Sequence, residues 1–206
     1  MSRVLFYRDI NVAVRGLAIT NSAATSIETC RKFPSLPQTM PTLQTTRPHP
    51  LREGCPPDWA SAWGQDAHGI WVAFKYAEVE QRLRYIPPGR FMMGSPVNEA
   101  GRYHDETQHR VTLTRGFWLF DTPVTQALWS AVMGKNPSRF QSPQRPVENV
   151  NWDDCQEFIT KLNQQIPELA LRLPTEAEWE YACRAGTSTA TYAGDLEIAG
   201  ENNAPV

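Results

Sequence analysis

The placement of the large aromatic residues constrains this chain more than any other feature: all seven tryptophans lie at or beyond Trp59. Between Lys32 and Pro57 the sequence reads KFPSLPQTMPTLQTTRPHPLREGCPP. Prolines and polar residues dominate there, with no period of 2 or 3.6. Each proline removes a backbone donor and pushes its predecessor toward extended conformations, so a packed helix or central strand is disfavoured. Residues 1–57 are therefore expected to form an extended or disordered arm ending in a Pro-rich linker, and residues 58–206 the folded domain.

Within that domain the patterning is of short elements. Residues 71–78 alternate as a two-sided strand, with Arg82–Ile86 a second strand, and Pro87-Pro88-Gly89 forces a turn. Phe91-Met92-Met93 is an apolar run ended by Gly94-Ser95-Pro96. A polar loop rich in Glu, Asp and His follows. His109–Phe120 then resumes as strand, with Val111 and Leu113 on one side and Thr112 and Thr114 on the other.

Three helices carry end signals as well as period. Thr125 caps one over Gln126–Met133, with Gly134 after it. Asn151 caps the next, with Asp153 and Asp154 at its positive end. Along it Trp152, Cys155, Phe158, Ile159 and Leu162 recur at helical spacing until Pro167. Thr175-Glu176-Ala177-Glu178 is a capping box opening a helix through about Arg184, with Gly186 as its stop.

Twenty basic against 22 acidic residues give a net charge of -2, so no overall field favours nucleic acid or an anionic membrane. No apolar run approaches a membrane span. Asp9 and Arg15 interrupt the apolar residues of the first 20, leaving no secretory h-region, and a cytoplasmic location is expected. Cys30, Cys55, Cys155 and Cys183 lack close C-x-x-C spacing and are read as thiols by default, with pairing left open.

Arg172-Leu-Pro-Thr-Glu-Ala-Glu-Trp-Glu-Tyr-Ala-Cys-Arg-Ala-Gly186 resembles the RLPTEAEWEYA signature of the formylglycine-generating enzyme, or sulfatase-modifying factor, family. An ordered series precedes it: Ile86 to Gly94, Glu99 to Glu106, His109 to Leu113, Phe117-Trp118, Pro123 to Thr125, Pro146-Val147 and Val150 to Asp154. The resemblance runs from about Tyr85 to Val206. It implies an α+β fold, a variant of the C-type lectin fold with short twisted strands and much irregular backbone. Arg172, Pro174, Thr175, Glu176, Glu178 and Trp179 are its structural signature residues.

The resemblance also implies a chemistry. Founding members oxidise a protein cysteine to formylglycine with molecular oxygen and a copper(I) ion held by two thiolates, a soft donor pair suited to that ion. In the family those cysteines lie after a G-N-x-W-E-W segment and around an R-G-G-S-W segment, neither of which occurs in this sequence. The chain is accordingly expected to hold the first two thirds of the domain and to form no formylglycine, with no catalytic residue of its own. Some relatives bind structural calcium through an Asn shortly after the signature helix, which points to Asn203. A protein or peptide is the implied substrate, and a lectin-like binding module the alternative.

Other groups are read as structural. His104 to His109 gathers two imidazoles and two carboxylates, but their spacing suits a connection into the following strand better than a helical metal motif. Glu176, Glu178 and Glu180 fit the first turns of a helix. Trp118, Trp129, Trp152 and Trp179 are expected in the core.

Overall fold

A computed structural model of the protein describes residues 18–19, 51, 55–99, 101–191 and 194. It is α+β. Among the described residues seven strands and three helices follow in the order β1 (Ala18–Ile19), β2 (Ala62–Asp66), β3 (Gly69–Tyr76), β4 (Val79–Ile86), β5 (Gly89–Met93), β6 (His109–Leu113), β7 (Phe117–Phe120), α1 (Gln126–Met133), α2 (Trp152–Gln165) and α3 (Glu176–Arg184). A 3-10 turn at Pro167–Leu169 follows α2.

The main sheet has the order β1-β7-β4-β3-β2, antiparallel throughout. Strands β2, β3 and β4 form a meander. Strand β7 pairs beside β4, bringing Tyr85 opposite Trp118. β5 and β6 form a separate two-stranded ribbon, with Phe91 opposite Val111 and Met92 opposite Arg110.

The sequence pattern runs as one strand from His109 to Phe120; the structure divides it into β6 and β7 in different sheets. The break falls at Gly116, where a side chain would collide with the ring of Tyr85. Glycine there lets Tyr85 lie against the connection and pack edge-on to Trp118, 5.3 Å between ring centroids. The chain is thereby handed from the ribbon to the sheet. Strand β2 carries no clear alternation and was not anticipated.

The core lies between the sheet and helices α1 and α2. Phe74, Leu83, Trp118 and Phe120 from the sheet meet Leu128, Trp129, Phe158 and Leu162 from the helices. The rings of Trp129 and Phe158 stack with centroids 5.1 Å apart. Burial of side chains this large contributes roughly 1.5–3 kcal/mol each.

Two points of the expected N-terminal arm belong to this body. Ala18–Ile19 pairs with Leu119 and Trp118, and Leu51 is buried in the core cluster. Trp152 corrects another expectation. It heads the apolar stripe of α2 by sequence spacing, yet it is 61% exposed, while Cys155, Phe158, Ile159 and Leu162 of the same stripe are buried.

Cysteine chemistry also departs from the default. Cys55 is disulfide-bonded, whereas Cys155 and Cys183 are thiols. No helix among the described residues is long and apolar enough to cross a membrane.

Candidate functional site

The residues singled out by sequence converge on the start of α3. Thr175, in extended conformation, accepts a hydrogen bond from the Glu178 amide at 3.2 Å, and the Glu178 carboxylate accepts from the Thr175 amide at 2.8 Å. Two orphan donors of the helix start are satisfied reciprocally. Arg172 then donates to both Glu178 oxygens, at 2.7 and 2.6 Å, a bidentate pair. Burial acts to raise the Glu178 pKa. The Arg172 pair and the Thr175 hydrogen bonds outweigh it, and the carboxyl titrates below its ordinary range. The same pairing raises the pKa of Arg172.

The second half of α3 grips a distant strand. Glu180 Oε1 accepts from the Gly94 amide at 3.0 Å and from Arg184 Nε at 2.8 Å, while Arg184 Nη2 donates to the Gly94 carbonyl at 2.9 Å. Both backbone groups of Gly94 are thus held by one i,i+4 ion pair. Arg184 Nη1 also donates to the Thr189 carbonyl. Tyr181 packs on Phe91 of β5, 5.4 Å between centroids. Gly89 passes so close beneath the Tyr181 hydroxyl that no side chain would fit.

Of the remaining signature residues, Pro174 and Trp179 are half-buried and Glu176 is exposed. Asn203 lies outside the described residues. The side chains of Arg172, Thr175 and Glu178 form one unit, and Glu180 with Arg184 another. Each charged group of these two units holds backbone or its opposite charge.

Sequence reasoning missed a second polar centre. Gln126, 1% exposed at the first position of α1, donates to the carbonyls of Phe140 and Pro146 at 3.0 and 3.2 Å. Its Oε1 accepts from Asn136 Nδ2 and the Ser142 amide, both at 2.9 Å. Buried Ser138 accepts from the Glu148 amide, and Glu148 accepts from the Phe140 amide. The loop between α1 and α2 is therefore fixed by side chains together with the backbone bridge between Thr125 and Pro146. The available signal was a polar residue directly after the Thr125 cap, followed by an Asn, Ser and Gln-rich loop.

The cysteines bear on copper. Burial, with Asp154 adding to it, pushes the Cys155 thiol up to about 11, so the thiolate that a metal needs is disfavoured. Cys183 is exposed on a different helix. This donor set does not fit a two-thiolate copper(I) site. Among the described residues no group of three or more His, Cys, Asp or Glu is arranged to hold a metal ion.

Comparison with known proteins places this architecture. The model of the sulfatase-modifying factor enzyme 1-like domain matches residues 74–205, which takes in the ribbon, α3 and the contact between them. The chain belongs to that family. Similar proteins include the chaperone protein LppX of Paenibacillus barcinonensis, 35% identical over 41% of this chain and 42% of that protein. The formylglycine-generating enzyme of Mus musculus is 36% identical over 38% of this chain and 18% of its own length. Among solved structures, Treponema denticola variable protein 1 superposes with a TM-score of 0.52 at 27% identity, covering 59% of each chain. The matches thus span less than half of the curated relatives' length, and the sulfatase-modifying factor scaffold is what they have in common with this chain.

Proposed function

We propose that the domain is a formylglycine-generating-type scaffold that engages a protein segment, and that its described residues do not themselves oxidise cysteine. The observation carrying this reading is the fate of the signature charges. Arg172, Glu178, Glu180 and Arg184 are all spent on the cap of α3 and on Gly94. The family activity, copper- and oxygen-dependent oxidation of a protein cysteine to formylglycine, requires two thiolates at close range. A buried thiol raised to about 11 on α2 and an exposed one on α3 do not supply them. The test is incubation of the whole chain with copper(I), oxygen and a Cys-x-Pro-x-Arg peptide, read by mass spectrometry. The expected product spectrum contains only cysteine and its disulfide, and an aldehyde product would overturn the proposal.

A second reading, a non-catalytic lectin-like binding module, has one observation in its favour. The loop locked by Gln126 displays Phe140, 58% exposed, and leads to Trp152, 61% exposed, on a framework that need not be ordered on binding. Ligand addition that quenches tryptophan fluorescence in the wild type but not in Trp152→Phe supports this reading. Unchanged fluorescence across peptide and glycan panels counts against it.

A further inference from the structure

The ribbon of β5 and β6 has two unlike faces. Phe91, Val111 and Leu113 are half-buried on the side where Tyr181 of α3 packs. The other face presents Arg90 and Met92 from β5 with Arg110 and Thr112 from β6, all exposed. Register sets Arg90 opposite Thr112 and Met92 opposite Arg110, so the two arginines are diagonal neighbours around a methionine that is 43% exposed. Arg115 follows, exposed, just past the end of β6.

The treatment of these arginines differs from that of others in the molecule. Arg84 binds Asp66 and Asp121, Arg172 binds Glu178, and Arg184 binds Glu180. Among the described residues no hydrogen bond or ion pair engages the guanidinium group of Arg90, Arg110 or Arg115, and neither ribbon strand contains a carboxylate. A positive face therefore stands in a protein whose net charge is -2. The outer edge of β6 is also unpaired among the described residues, since the ribbon has only two strands. A free edge offers a row of backbone donors and acceptors to an added strand.

We propose that this edge and face receive an extended acidic segment of a partner protein, which adds to β6 as a third strand. Alternate side chains of such a strand fall on the arginine face, because the period of a strand is two. Carboxylates there meet Arg110 directly and Arg90 by the reach of its side chain, while an apolar residue can cover Met92. The same charges discourage pairing between two copies of this chain, since like charges would be brought face to face. The site is independent of whether the domain oxidises cysteine, as it contains no residue of the signature network.

The experiment is a titration of a fluorescein-labelled peptide of alternating glutamate and valine with the full chain, followed by anisotropy. A lysine and valine peptide, duplex DNA and phosphatidylserine vesicles serve as competitors. Saturable binding is expected to weaken on the order of tenfold in R90E/R110E, to persist in R90K/R110K, and to fall with added salt. Hydrogen exchange should slow at residues 109–113 when the acidic peptide is bound. Absence of binding, equal affinity in R90E/R110E, equal binding of the lysine peptide, or better competition by DNA or vesicles would overturn the proposal. Circular dichroism of R90E/R110E should match the wild type, both arginines being exposed.

Discussion

Glu178 accepts three hydrogen bonds from two partners, Arg172 and Thr175, with one carboxylate, and its titration is the most direct handle on the signature segment. Its pKa is held below the ordinary value of 4.5. A depressed carboxyl contributes stability that is fully present above the unfolded value and is lost as pH falls through the folded one. Arg172→Ala should therefore cost about 1 kcal/mol near neutral pH, a figure trimmed for solvent screening because Arg172 is 37% exposed. The difference from wild type should shrink as pH drops below 4.5. Urea unfolding at several pH values measures this, and a gap independent of pH would count against the assignment. Gln126 acts on the same scale without a charge. Gln126→Leu keeps the volume but strands the Asn136 amide, the Ser142 amide and the carbonyls of Phe140 and Pro146. Groups left partially unsatisfied cost about 1–3 kcal/mol each when buried, and rearrangement toward water recovers part, so a loss of roughly 2–4 kcal/mol is expected by thermal or urea unfolding.

At the scale of elements, the helices were legible because their ends are chemical. Thr125, Asn151 and Thr175 each cap as their residue types require, and α1, α2 and α3 start one residue later. Asp154 went further than a dipole argument foresees, closing a full capping box with Asn151. Strand partners were not legible, because alternation identifies a strand and a face but says nothing about which edge it joins. That is why β6 and β7 read as one strand, and why β2 escaped notice. The grip of α3 on Gly94 was invisible for the same reason, joining residues 86 apart in sequence. It makes a specific demand just past β5. Gly94 has φ +84°, and a Cβ there would sit 2.7 Å from the Thr107 carbonyl oxygen. Gly94→Ala is expected to destabilise the protein by about 1–3 kcal/mol through both effects. Its exchange signature should be local, with α3 amides losing protection before those of α2. Loss spread evenly over both helices would show that the ribbon and α3 are not a separate unit.

Across the whole molecule the burial is uneven. The central cluster draws its buried side chains from β3, β4, β7, α1, α2 and the segment that follows, with Leu51, Val124, Val147 and Val150 from the connections, whereas α3 buries none of its residues completely. Strands β5 and β6 likewise contain no fully buried residue. The ribbon and α3 are instead held by the Gly94 clamp, the Tyr181 and Phe91 contact and the Arg172 pair, which are polar or half-exposed attachments. Local opening free energy follows buried apolar contact, so this unit should open well below the global unfolding free energy. Native-state hydrogen exchange tests it. Amides of β3, β4 and α2 should exchange only through global unfolding, with a steep dependence on denaturant, whereas those of β5, β6 and α3 should exchange through a smaller opening that is nearly independent of it. Equal denaturant slopes in both groups would mean that the attachments are as strong as the core. The position of the family signature in the weaker unit then acquires a physical reading. Its charges do not add to an already sufficient core; they hold in place a ribbon that otherwise has only one half-buried face to keep it there.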